Sequence, residues 1–163
     1  MANVYLGLGT NLGDKATNLR TATRLINDEI GKVISLSSFY ETAPWGFASE
    51  HKFLNAAACV ETILPPMEVL HRTQEIERTL GRTQKSVGGV YHDRLIDIDL
   101  LLYDDVILYT PELVLPHPLM TEREFVMKPL VEIASETLHP VLRKTLGELF
   151  LNVCQQSIHT PEK

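Results

Sequence analysis

The stretch Asp93-Arg94-Leu95-Ile96-Asp97-Ile98-Asp99-Leu100-Leu101-Leu102-Tyr103 decides how the rest of the chain is read. Its β-branched and large apolar residues predict a strand. Alternate side chains of a strand point to opposite faces, so Ile96, Ile98, Leu100 and Leu102 share one face, and Asp97 and Asp99 share the other. At a rise of ~3.3 Å per residue, the two Asp Cα atoms stand roughly 6.6 Å apart. Carboxylates at that spacing repel, and a hard cation held between them satisfies both. Arg94, three residues before Asp97, supplies a fixed positive charge nearby. The alternative is a solvated acidic face on an edge strand, the commoner meaning of an isolated Asp-x-Asp pair. The flanking segments bear on the choice.

Immediately before the strand, residues 82–94 show no apolar period, contain Gly88-Gly89 and carry Arg82, Lys85 and Arg94. A cationic loop feeding a carboxylate pair is an arrangement that phosphoryl transfer uses as a lid. A plain solvated connector is the alternative. Further back, Pro65-Pro66 opens a helix with Val69, Leu70, Thr73, Ile76 and Leu80 as its buried stripe, ended by Gly81. Gln74 and Glu77, three residues apart, neighbour each other beside that stripe, either as boundary residues or facing a ligand. Before that helix, Phe53 to Ile63 reads as a strand with Leu54, Ala56, Ala58 and Val60 on one face and Phe53 and Asn55 on the other. An aromatic beside an amide is often only a strand pair. A planar heterocycle uses the same pair, the ring to stack and the amide to read its edge.

The chain opens with a short strand, Val4 to Gly9, and a turn, Thr10-Asn11-Leu12-Gly13-Asp14, in which Asn11 or Asp14 caps the following helix. Leu12 stands where a dinucleotide fingerprint needs Gly, and the Gly-Lys-Ser/Thr ending of a P-loop is absent. The glycines therefore read as points of close backbone approach. Leu19, Ala22, Leu25, Ile26 and Ile30 keep helical spacing, and Gly31 stops that helix. Val33 to Tyr40 reads as one strand, and Glu41 to Phe47 as a loop with the chain's single Trp, Trp45, set to pack on a core edge or to wall a ligand. After the Asp-x-Asp strand come Val106-Ile107-Leu108 and a constrained turn, Leu115-Pro116-His117-Pro118. A helix over Val126 to Ala134 with Pro129 near its start follows, then a short helix from Thr145 to Val153 and a loose tail from about residue 158. A His between prolines is ordinarily structural.

With 163 residues, 44% hydrophobic and 22% charged, the chain is expected to form one domain, 1–163, with a real core. A net charge of -6 argues against a nucleic-acid binder with a broad basic face. Cys59 and Cys154 form neither a disulfide framework nor a metal spacing. No segment reaches transmembrane length and the N-terminus lacks a signal-peptide pattern, so a cytoplasmic protein with no membrane partner is expected.

Taken in order, six motifs resemble the 6-hydroxymethyl-7,8-dihydropterin pyrophosphokinase family. These are Gly9-Thr10-Asn11-Leu12-Gly13-Asp14, Ser37-Ser38-Phe39-Tyr40-Glu41-Thr42-Ala43-Pro44, Phe53-Leu54-Asn55-Ala56-Ala57, Arg94-Leu95-Ile96-Asp97-Ile98-Asp99-Leu100, Leu115-Pro116-His117-Pro118 and Arg123-x-Phe125. The resemblance extends to about Ala134. It implies an α+β, ferredoxin-like fold, a mostly antiparallel sheet with helices packed against it. It implies a monomer that moves the β,γ-diphosphate of ATP to the pterin hydroxymethyl oxygen, leaving AMP, with two Mg²⁺ ions. By position, Asp97 and Asp99 look like the metal ligands. Thr42, Pro44, Trp45, Gly46, Phe53, Asn55 and Phe125 look like the pterin pocket. Gln74, Glu77, Arg82, Arg94, Ile98, His117 and Arg123 look like the nucleotide side, with Arg82 and Arg94 catalytic. The chain departs from the family's usual pattern at His92-Asp93, where Gly-Pro is common, and at Gln84, where Arg is common. Another Mg²⁺-dependent phosphoryl or nucleotidyl transferase, or a ferredoxin-like binding module without catalysis, would share part of this pattern.

Overall fold

The computed structural model describes residues 1–42, 52–81 and 95–159. Among the described residues seven strands and four α-helices follow in the order β1 (Ala2–Thr10), α1 (Lys15–Glu29), β2 (Lys32–Leu36), β3 (Tyr40–Thr42), β4 (Phe53–Thr62), α2 (Pro66–Gly81), β5 (Asp97–Tyr103), β6 (Leu108–Tyr109), β7 (Val114–Leu115), α3 (Glu124–Ala134) and α4 (Leu146–His159). The main sheet runs β2-β4-β1-β5, with β3 also paired to β4, and every pairing is antiparallel. Together with α1 and α2, the strands β1, β2, β4 and β5 form the βαββαβ unit of a ferredoxin-like α+β fold, as expected.

Both faces of the sheet are covered. On one, Leu19, Ala22 and Ile26 of α1 and Val69 and Ile76 of α2 pack on Val4, Leu6, Leu8, Ala56, Ala58 and Val60. On the other, Met127, Leu130 and Ala134 of α3 and Leu146 and Leu149 of α4 pack on Ala57, Leu101 and Leu102. Burial on both sides explains why Asn55 to Val60 are buried without a break. Asp14 caps α1, its side chain accepting from the Thr17 N–H at 3.2 Å. At the other end Gly31 meets the end of β4. A Cβ there would stand 2.0 Å from the Glu61 carbonyl oxygen, so only glycine fits.

Besides the last helix, expected over Thr145 to Val153 and found over Leu146–His159, three expectations are corrected. The single strand over Val33 to Tyr40 is two strands, because Ser37, Ser38 and Phe39 face only Ala56 and Ala57 between the pairs Leu36↔Ala58 and Tyr40↔Asn55. The Ser37 hydroxyl accepts from the Ala57 N–H at 2.9 Å, so a side chain bonds where the ladder is interrupted. Strict alternation in β5 fails after Leu100. The register jumps from Leu6↔Leu100 to Tyr5↔Leu102, and Leu102 joins Leu101 against α3 instead of sharing a face with Ile98. Finally, α3 begins at Glu124, two residues earlier than expected, and Pro129 is its sixth residue. Pro129 thus lies two residues further from the helix start than expected.

Candidate active site

Strand register places the site. Tyr40, Asn55, Gly9 and Asp97 form one row across β3, β4, β1 and β5, and Ala57, Gly7 and Asp99 form another two residues along. Strands lie ~4.8 Å apart, so Asn55 and Asp97, two strands apart, are separated by roughly 10 Å. Between them the face toward α3 carries only glycine. A Cβ on Gly9 would stand 3.1 Å from Asn55 Oδ1, and one on Gly7 3.4 Å from a Leu101 methyl. The missing side chains hollow out the floor of a cavity of about 220 Å³.

Thr42, Phe53, Asn55, Asp97, Asp99, Arg123 and Phe125 line this one cavity, with Leu8, Ala56 and Val126. Asn55 is buried, and its amide donates to the Thr42 hydroxyl at 2.8 Å. Arg123 caps α3 through its carbonyl, which accepts from the Val126 and Met127 N–H groups, both at 3.0 Å. Its guanidinium stands 5.8 Å from the Phe125 ring centroid, within cation–π range. The first turn of α3 thus brings an aromatic ring and a permanent cation over a floor whose far edge is acidic.

On that acidic edge, the Ile98 N–H donates to Glu77 Oε2 at 2.8 Å, which ties α2 to β5 between the two aspartates. The Ile98 side chain is buried in the core, which leaves its backbone, between Asp97 and Asp99, as the part of the residue open to a nucleotide. Gln74 is exposed on α2 and does not line the cavity. The backbone N–H of His117 donates to the Leu101 carbonyl at 2.9 Å, and its Nδ1 accepts from the Leu119 N–H at 3.2 Å. This bond leaves the imidazole proton on Nε2. Burial, then the Arg123 cation, hold the His117 pKa below its ordinary value, against the pull of Asp97. His117 is therefore biased toward its neutral form within electrostatic reach of both Arg123 and Asp97. Pro44, Trp45, Gly46, Arg82 and Arg94, with the expected lid of residues 82–94, lie outside the described residues. The part the sequence reading missed is the floor. Gly7 and Gly9 have the two-residue spacing of one strand face, and that spacing is the available signal.

The fold and the cavity define a class, a ferredoxin-like α+β domain whose aromatic-walled pocket opens beside a pair of carboxylates. Comparison with known proteins then narrows it. Residues 5–135 match the family described as 7,8-dihydro-6-hydroxymethylpterin-pyrophosphokinase (HPPK), and the chain belongs to that family. It is 54% identical over 141 residues to the 2-amino-4-hydroxy-6-hydroxymethyldihydropteridine pyrophosphokinase of Porphyromonas gingivalis, covering 86% of this chain and 95% of that one. It is 41% identical over 133 residues to the protein of that name in Bacillus subtilis, covering 81% and 78%. In fold it resembles a Plasmodium falciparum HPPK-DHPS solved with pteroate, with a TM-score of 0.79 at 18% identity, covering 98% of this chain and 43% of that one. An HPPK-DHPS solved with substrates gives 0.78 at 16%, covering 98% and 44%. This chain therefore spans under half of those longer chains.

Proposed function

We propose that the chain transfers diphosphate from ATP to 6-hydroxymethyl-7,8-dihydropterin, giving AMP and the pterin diphosphate, as a step of folate biosynthesis. The hydroxymethyl oxygen bonds to the β-phosphorus, the bond from that phosphorus to the oxygen of AMP breaks, and the hydroxyl proton is released. The observation that carries this reading is that two rings, a buried amide and two carboxylates line one cavity. Phe53 and Phe125 supply faces for a planar ring, and Asn55 has a second amide hydrogen and a carbonyl oxygen for its edge. Thr42, which accepts from Asn55, holds that amide in orientation. Pro44, Trp45 and Gly46 complete the pocket on the strength of the sequence resemblance.

Asp97 and Asp99 fit Mg²⁺, which takes a few carboxylates and fills its remaining positions with water and phosphate oxygens. Among the described residues, no cluster of three or more His, Cys, Asp or Glu side chains could hold a metal. Asp97 and Asp99 would hold such an ion jointly with the phosphate oxygens of ATP. Two such ions, once bound, neutralise charge on the transferring group. Arg123 and neutral His117 face the phosphates, the first as a bidentate cation and the second as an Nε2–H donor. Glu77, Gln74 and the Ile98 backbone are assigned to the nucleotide side, and Arg82 and Arg94 to charge neutralisation in the transition state. Among the described residues no helix is long and apolar enough to cross a membrane. We assign the protein to the cytoplasm, as a monomer with ATP and the pterin as its partners and no nucleic acid.

The deciding experiment incubates the chain with ATP, Mg²⁺ and the dihydropterin and identifies the nucleotide product. AMP in step with pterin diphosphate is expected. ADP would make it an ordinary kinase, and binding of both ligands without turnover would make it a binding module.

A further inference from the structure

Behind the cavity, one carboxylate holds α3 to the edge of the sheet. Glu132 lies seven residues after Phe125, two helical turns, so the two share a face of α3 about 10 Å apart along its axis. Oε1 of Glu132 accepts from the Ser38 N–H at 3.0 Å and from the Tyr40 hydroxyl at 2.5 Å. Oε2 accepts from the Ser38 N–H and the Ser38 hydroxyl, each at 3.1 Å. Lys128, one turn before Glu132, places its ammonium 5.4 Å from the centroid of the Tyr40 ring. The Tyr40 and Ser38 donors hold the Glu132 carboxyl below the ordinary carboxylate range, which keeps the acceptor charged.

Packing of Met127, Leu130 and Ala134 holds α3 on the sheet, but apolar contact is non-directional and leaves a helix free to roll or slide. Hydrogen bonds of fixed geometry remove that freedom. The donors belong to the β2–β3 bulge and to β3, the strand that pairs Tyr40 with Asn55 and Thr42 with Phe53. We infer that Glu132 is a positioning residue for the substrate cavity: through Ser38 and Tyr40 it fixes the gap between the Phe125 wall on α3 and the Phe53–Asn55 wall on β4. The inference rests on reading that cavity as the pterin site. A ring that must touch both walls is sensitive to displacements of about an ångström, whereas a nucleotide bound toward the acidic edge is not held between them.

The test measures, by calorimetry, binding of 6-hydroxymethylpterin and of α,β-methylene ATP to the full chain and to Glu132→Ala, Glu132→Gln, Tyr40→Phe and Phe125→Ala. Glu132→Ala is expected to weaken pterin binding roughly tenfold while ATP-analogue binding stays within about twofold. Glu132→Gln, which keeps an acceptor oxygen, recovers part of the loss, and Tyr40→Phe, which removes one donor, gives a smaller loss. Unchanged pterin binding in Glu132→Ala, with Phe125→Ala still weakening it, overturns this inference and leaves the pterin reading intact. A parallel loss of both ligands with a lower Tm also overturns it, because that marks a fold role only. If Phe125→Ala leaves pterin binding intact, the cavity is not the pterin site and both readings fall.

Discussion

Asp97 and Asp99 stand on one strand face and both line the cavity. Replacing either carboxylate with an amide keeps its size and removes the charge a cation needs. Asp97→Asn or Asp99→Asn is expected to lower turnover at least about 100-fold with the Tm little changed, and turnover unchanged from the parent chain in both variants would remove the metal assignment. Phe125 acts through its ring. In Phe125→Ala the pterin loses a stacking partner worth on the order of 1 kcal/mol beyond lost burial, so pterin binding weakens and ATP binding holds. Calorimetry on both ligands checks this, and equal losses would indicate a folding defect.

At the scale of elements, the joints between helices and strands are tightly specified. The α1–β2 joint passes Gly31 against the carbonyl of Glu61, at a distance no Cβ tolerates. Gly31→Ala is expected to destabilise the fold by about 3 kcal/mol, measured as a lower urea midpoint with unchanged slope. Between α3 and α4, His139 is 5% exposed and its Nδ1 accepts from the N–H groups of Val141 at 3.2 Å and Leu142 at 3.0 Å. Burial holds its pKa below the ordinary value of 6.5. A depressed histidine pKa means the unfolded chain takes up the proton first as pH falls. The contribution is therefore present above the ordinary value and lost as pH drops through the folded one. The Tm is expected to fall between pH 7 and pH 5.5, and His139→Asn should flatten that fall, leaving the share due to His117. A parallel fall in the variant would exclude His139 as a source.

For the whole molecule, the cavity draws on β1, β3, β4, β5 and the start of α3. A ligand bound there holds together parts that unfolding separates, so binding and stability are linked. A pterin analogue at about 100 times its Kd should raise the unfolding free energy by about 2.7 kcal/mol, read by thermal or denaturant unfolding. Phe125→Ala should abolish most of that gain at the same analogue concentration. An undiminished gain in Phe125→Ala would place the pterin elsewhere.

Local pattern was enough for much of this. Period-two alternation put Asp97 with Asp99 and Phe53 with Asn55, and helical spacing with glycine stops delimited α1 and α2. These features depend on the chain's own backbone geometry, which a few neighbouring residues dictate. The family was likewise legible, because its motifs are local and ordered. Other features depend on residues far apart in sequence. Leu102 changed faces because a bulge against Tyr5 altered the register, and that register is settled by the partner strand. Asn55, Gly9 and Asp97 form one row only through the pairing of three strands. Glu132 carries no motif of its own. Its role follows from α3 lying over the bulge at Ser37 to Phe39, a placement set by the apolar face the helix buries. Sequence by itself determined the family and the local pairing of its motif residues, and tertiary structure alone decided which of those residues meet, because contact across a sheet is fixed by register and packing.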